Sequence, residues 1–317
     1  MIRNELFLLR FLNFLFYLIP ITLITGPFLP DFFLVIFCVF FLAYIIIFNK
    51  WNYFNNYFFY IMLLFNLYII ILSLFSKNPL LSLESSLFYF RFSLFSLGVF
   101  VLLEKKIINL KNLFIIFFLL FLFVSLDAYY QFFFNTNIFG HTKDIGRLSG
   151  IFGEELVLGS FLVRLFPLFF AISYYLSREH KIYTMISLSM FVLIDVLIFL
   201  TGERTAFFLL IIYLIIVLSL IKNMRMLRLL TFIISLLIIT TLSFFFPDTK
   251  QRMIDDTINQ LNLEKIIPNI QEENENIEVE NLDFWNDKKR SKRILAFSPH
   301  HEITYEVGLN IFYDNYY

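Results

Sequence analysis

The chain has 317 residues, 59% hydrophobic and 21% aromatic, and only 16% are charged; its mean hydropathy is +0.77. A soluble globular domain carries roughly 25% charged residues, so the composition excludes an ordinary soluble fold and predicts an all-α, polytopic membrane bundle. Lysine plus arginine balances aspartate plus glutamate at 25 each, which offers no basic face for nucleic acid, and the single cysteine, Cys38, excludes an intramolecular disulfide or a thiolate metal cluster.

Apolar runs long enough to span a bilayer need about 17–25 residues. They fall at 6–25, 32–48, 57–75, 87–103, 113–134, 156–176, 184–201, 205–221 and 229–246, which predicts nine spans. The boundaries are least defined at 76–90, where Pro79 and a serine-rich stretch blur the entry, and at 127–134. Arg3 and Arg10 precede no small-residue cleavage site, so the first run reads as a retained helix rather than a signal peptide. The 46 phenylalanines, with abundant isoleucine and asparagine, read as compositional bias rather than a binding stripe.

Orientation follows from lysine and arginine in the short loops. One set of ends holds ten (Arg3, Lys50, Lys105, Lys106, Lys111, Arg178, Lys181, Lys222, Arg225 and Arg228) and the other four (Lys77, Lys143, Arg147 and Arg204). This predicts an inside N-terminus, with the turns at 135–155 and 202–204 and everything after Phe246 outside. Residues 1–246 then form the transmembrane domain and 247–317 a polar outer region. In that region 249–265 could make an amphipathic helix with Met253, Ile254, Ile258 and Leu261 on one side. An acidic run from Glu272 to Asp283 and a basic cluster from Lys288 to Arg293 follow. They read as solvated loops, the basic one alternatively as a contact for anionic lipid. Ser298-Pro299 reads as the start of a helix running towards Phe312.

The stretch RLSGIFGEELVLGSFLVRLFP, from Arg147 to Pro167, passes from a glycine-rich turn into an apolar helix. Gly146, Gly150 and Gly153 allow the backbone to fold closely. Arg147 offers a planar fork of donors suited to phosphate, and Glu154 and Glu155 stand where the next helix should begin. The turn reads either as an anion site or as an ordinary loop whose glycines only make turns.

A charge at the bilayer centre costs about 2.5–3.5 kcal/mol on insertion scales, so each intramembrane charge needs a reason. Arg10 can snorkel. Counted from the outer ends of their spans, Arg91 lies about 6 Å deep, Arg164 about 12 Å and Asp195 about 9 Å. Arg164 and Asp195 are therefore expected to form a buried ion pair, which would be structural. Asp127 lies at the outer boundary. Arg91, Arg147 and Arg204, from three segments at one level, would make a diphosphate clamp, with Glu203 holding Arg204 or acting as a carboxylate base. No metal-ligand cluster, dinucleotide loop or phosphate-binding loop is evident, and His141, His180, His300 and His301 are scattered. No cofactor is expected.

Arg147-Leu148-Ser149-Gly150-Ile151-Phe152-Gly153, followed by Gly159 and Pro167, resembles the outer-loop motif of the O-antigen ligase family. Thr201-Gly202-Glu203-Arg204-Thr205-Ala206 is similar to that family's second arginine motif. Asp127 with Tyr130-Gln131 matches the approach to the first motif, and His301-Glu302 through Tyr313-Asp314-Asn315 looks like the helix after the opening of its large outer loop. The resemblance runs from about Leu87 to the end of the chain. It implies a metal-independent membrane glycosyltransferase of lipopolysaccharide or surface-polysaccharide biosynthesis. Such an enzyme ligates or polymerises a glycan, moving it from an undecaprenyl-diphosphate carrier to a saccharide acceptor such as lipid A-core at the periplasmic face of the bacterial inner membrane. It implies that Arg147 and Arg204 bind the diphosphate, with Arg91 added by position alone. The family's catalytic histidine stands in a His-Asn segment. This sequence has no His-Asn pair, so the catalytic residue stays unassigned and a C-terminally truncated member is expected. A transporter or flippase for lipid-linked sugars and a non-catalytic assembly subunit remain the alternatives. Transporters place their sites near the midplane with repeated halves, whereas here the charges crowd one face and no repeat is found.

Overall fold

The computed structural model describes residues 2–144, 146–255 and 257. Among them the regular structure is helical: α1 (Ile2–Thr22), α2 (Phe28–Ile47), α3 (Tyr57–Leu74), α4 (Pro79–Phe88), α5 (Phe90–Glu104), α6 (Leu110–Phe134), α7 (Leu158–Ser177), α8 (Lys181–Leu200), α9 (Arg204–Leu220) and α10 (Arg225–Phe245). Helices are the expected outcome for such runs, because a backbone in hydrocarbon must satisfy its own N–H and C=O groups. Among the described residues, eight helical segments are long and apolar enough to cross a membrane. The segment expected at 205–221 is α9, apolar but 17 residues long, or about 26 Å at 1.5 Å per residue.

Local chemistry sets the boundaries. The Asn56 side chain accepts from the Phe58 N–H at 3.0 Å and the Asn109 side chain from the Lys111 N–H at 2.9 Å, starting α3 and α6. Pro79 opens α4, where its missing N–H costs nothing. The blurred entry at 76–90 is thus helical from Pro79 onward, and the break between α4 and α5 falls at Tyr89. Asn135 ends α6 in the left-handed conformation, φ 62°.

α6 packs on α1, α7 and α8, and α8 packs in turn on α7 and α10. Their contact is aromatic: Phe114 and Phe121 of α6 each lie 5.4 Å, centroid to centroid, from Phe169 of α7, and Phe166 lies 5.4 Å from Phe191 of α8. Gly98 of α5 lets the Phe37 ring of α2 pack against its backbone, where a Cβ would stand 2.5 Å from that ring. The phenylalanines divide between this core and the outer surface, where Phe7, Phe28, Phe58, Phe88 and Phe208 are exposed, as a lipid-facing surface allows.

The expected Arg164–Asp195 pair does not form. Asp195, fully buried on α8, instead takes Arg228 of α10 in a two-bond fork, Nη1 to Oδ2 at 2.6 Å and Nη2 to Oδ1 at 2.8 Å. Ser235 adds a donor to the same carboxylate at 3.4 Å, Arg228 Nη1 also donates to Thr231 Oγ1 at 3.2 Å, and the guanidinium lies over Phe166 and Phe191. Arg228 and Ser235 are two turns apart on α10, about 10 Å, yet both reach one carboxylate. Matching Cα depths is therefore the wrong rule for so long a side chain. Arg164 shares the exposed stripe of α7 with Pro167, Leu168, Ala171 and Tyr175, away from Asp195.

Candidate functional site

The site expected around 135–155 is built on the end of α6. Asp127 and Gln131, four residues apart, share one helix face, and both are fully buried. Asp127 Oδ1 accepts from the Ile138 N–H at 3.0 Å, and Oδ2 from Asn137 Nδ2 at 3.5 Å. Gln131 Oε1 accepts from the N–H groups of Ser149 and Gly150, at 3.1 and 2.8 Å, while its Nε2 donates to the His141 carbonyl and to Ser149 Oγ. Asn137 closes the loop on itself. Its Nδ2 donates to the Gly150 carbonyl at 2.7 Å, and its Oδ1 accepts from the Phe139 and His141 N–H groups at 3.0 and 2.8 Å. Three buried side chains thus supplement the two isolated bridges of this loop, Thr136 with Thr142 and Asp144 with Arg147, since an unpaired buried polar group is costly. Asn137 was not singled out from the sequence; nothing distinguishes it there from other loop asparagines.

This loop is knit to the turn between α8 and α9. The Leu148 N–H donates to the Thr201 carbonyl at 3.3 Å. Gly202 has φ +70°, and a Cβ there would collide with the Gly146 carbonyl oxygen and lie 3.0 Å from Arg252 Cδ. A Cβ on Gly159 would stand 2.6 Å from Thr201 Oγ1 and 3.1 Å from the Cβ atoms of Glu203 and Ala206. The two sequence motifs are therefore one packed unit.

Glu203 turns its carboxylate to the start of α7 rather than to Arg204. It is 7% exposed, and its carboxylate accepts from the Gly159 N–H at 2.7 Å, the Ser160 N–H at 3.0 Å and Ser160 Oγ at 2.7 Å. Those N–H groups belong to the first turn of α7, which otherwise lacks intrahelical acceptors and carries the positive end of the dipole. α7 starts at Leu158, so Glu154 and Glu155, both exposed, do not cap it.

Arginines converge on this unit, but not the expected three. Arg147 Nη2 donates to the Leu156 carbonyl at 3.2 Å, and its shielded Nε has no partner among the described residues. Arg204 Nε donates to the Arg252 carbonyl at 3.1 Å, and Arg252 Nε to the Gly202 carbonyl at 3.2 Å. Arg252 was read only as part of an amphipathic helix over 249–265. Over the described part of that range the chain is helical, a short helix, Pro247–Lys250, running into a π-helical turn, Gln251–Asp255, with Met253 buried and Ile254 exposed. This segment folds back over the loop, and the Phe246 ring lies tilted against Phe132, 4.6 Å between centroids. Ile258, Leu261, the acidic run, the basic cluster, the helix expected from Ser298, and His300 and His301 lie outside the described residues. Lys143 of the loop lies 4.7 Å over the Phe132 ring; burial lowers its pKa, opposed by the charge of Asp248.

Arg91 is engaged elsewhere. Its guanidinium pairs with Asp31 of α2 at 2.8 Å, so the third cation expected at the loop is replaced by Arg252. His141 is exposed, its ring against Gly153.

No protein-family model, curated protein or solved structure matches the chain.

Proposed function

We propose that the chain serves the transfer of a glycan from an undecaprenyl-diphosphate carrier to a saccharide acceptor, by ligation or polymerisation, with Arg147, Arg204 and Arg252 around the carrier's diphosphate. In this reading the bundle has nine spans, α4 and α5 forming one and α9 another. The N-terminus is cytoplasmic and the loop end faces outward in a bacterial inner membrane. Burial of Arg228 removes one of the ten cations counted on the inner side, and the remaining nine still outnumber the four outside.

One observation carries the reading. The two arginine-bearing motifs, far apart in sequence, are packed through Gly146, Gly202, Thr201 and Gly159 into a single unit at one end of the bundle, and a third arginine folds onto it. In the transfer, an acceptor hydroxyl attacks the anomeric carbon and the bond from that carbon to the diphosphate oxygen breaks. The diphosphate leaves with the electron pair, while the acceptor's proton goes to a base. Preorganised guanidinium groups stabilise the charge growing on the leaving oxygen more than the ground state. The base in this family is the histidine of the His-Asn segment, which the sequence does not contain; the residues described here supply the carrier-binding half. A loop held by buried Asp127, Gln131 and Asn137 suits that role, because it fixes the arginines before the carrier arrives.

Carrier binding tests this without requiring turnover. The full chain in nanodiscs is titrated with undecaprenyl diphosphate and with undecaprenol. The diphosphate is expected to bind far more tightly. Arg147→Lys and Arg204→Lys should each weaken it roughly tenfold, because lysine keeps the charge but loses the planar fork. Equal binding of the two lipids, or parental affinity in both variants, would overturn the assignment. Carrier translocation across liposomes would favour a transporter instead.

A further inference from the structure

The ion pair that Arg91 makes does not stand alone. It lines an open surface pocket of about 560 Å³ together with Pro27, Phe28, Phe32 and Val35. Phe28, Asp31, Phe32 and Val35 recur at helical spacing on one face of α2. Phe28 and Phe32 stack at 6.0 Å, and Phe28, Phe32 and Val35 are exposed. One carboxylate is thus set into an apolar, lipid-accessible stripe. Asp31 lies in the first turn of α2, about 5 Å from the end of a spanning helix, at the depth of lipid head groups. The pair is only partly covered: the Asp31 side chain is 45% exposed and that of Arg91 28%. Arg91 Nε is shielded from solvent and has no partner among the described residues.

We propose that this pocket binds a zwitterionic aminophospholipid, with the lipid phosphate on Arg91, its primary ammonium on Asp31 and an acyl chain along Phe28, Phe32 and Val35. Charge complementarity selects this class. A purely anionic head group meets Asp31 beside the arginine it would need, whereas an ethanolamine head group offers a charge of each sign to the pair. A choline head group brings the same phosphate but no N–H to donate. The proposal does not depend on the diphosphate reading, since none of its residues belongs to the loop unit.

The test uses the full chain in detergent, with lipid adducts counted by native mass spectrometry. Phosphatidylethanolamine, its N-monomethyl and N,N-dimethyl derivatives, phosphatidylcholine and phosphatidylglycerol are each offered at equal concentration. Retention should fall stepwise along the methylation series, roughly threefold from ethanolamine to choline, the scale of a half-exposed charge contact, with phosphatidylglycerol no better than choline. Asp31→Asn should flatten the series, and Val35→Trp, which fills the pocket without touching either charge, should lower retention of every member. A flat series in the parent protein overturns the proposal without recourse to any variant. So does a preference for phosphatidylglycerol, or a series left intact in Asp31→Asn.

Discussion

Replacing Asp195 by leucine leaves Arg228 charged, fully buried and without its carboxylate. The pair is two-bonded and both side chains are wholly inaccessible, so no water relieves the loss. Breaking such a pair from one side costs about 3–5 kcal/mol, whereas replacing both partners by apolar residues is often neutral or stabilising. In a protein whose whole stability is of the order of 5–15 kcal/mol, the single change should strongly deplete folded material. Arg228→Met, which leaves the carboxylate alone, should do the same. The double variant should recover most of the loss, because Phe166 and Phe191 already line the guanidinium and would pack against methionine. Arg164→Met, which removes a charge from the exposed face of α7 rather than a partner of Asp195, should leave the parent's stability undiminished. The measurement is the monodisperse fraction on size exclusion after graded heating in detergent. A double variant no better than the worse single one would refute the coupling. An Arg164 variant as damaging as the Asp195 variant would restore the depth-matched pair.

Glu203→Gln keeps the shape of the residue but weakens three hydrogen bonds to the start of α7. It should cost about 1–2 kcal/mol, read as a lowered unfolding midpoint; an unchanged midpoint would return Glu203 to the candidates for chemistry. Lys143 titrates in the opposite sense to a paired lysine. Burial lowers its folded pKa below the ordinary 10.5, so its charged form opposes folding at neutral pH, and that penalty fades as pH rises through the folded value towards 10.5. Lys143→Met should therefore be at least as stable as the parent at pH 7, with the advantage shrinking in alkaline buffer. A gain that grows with pH would contradict the sign.

The ion pair shows where one-dimensional reading stops. Hydropathy located the apolar segments, because insertion into hydrocarbon depends on the run of side chains and the helix satisfies its own backbone. α2, α6, α7 and α8 accordingly fall within a few residues of their expected spans. The glycines at 146, 150 and 153 were also legible, since all three take the positive φ that glycine adopts without strain. Partners were not legible. Sequence gives the depth of a charge along its helix but not the rotation of that helix or its neighbour, and arginine reaches two turns. Asp195 therefore met Arg228 rather than Arg164, and Arg91 met Asp31 rather than the loop. Glu203 looked like a candidate base because nothing in a linear chain reveals that the first turn of α7 lies against it. Asn137 and Arg252 gained their places only when the end of α6, the α8–α9 turn and the segment after α10 were folded onto one another. Composition and periodicity made this chain a helical membrane bundle; the contacts between its helices decided which charges bind each other.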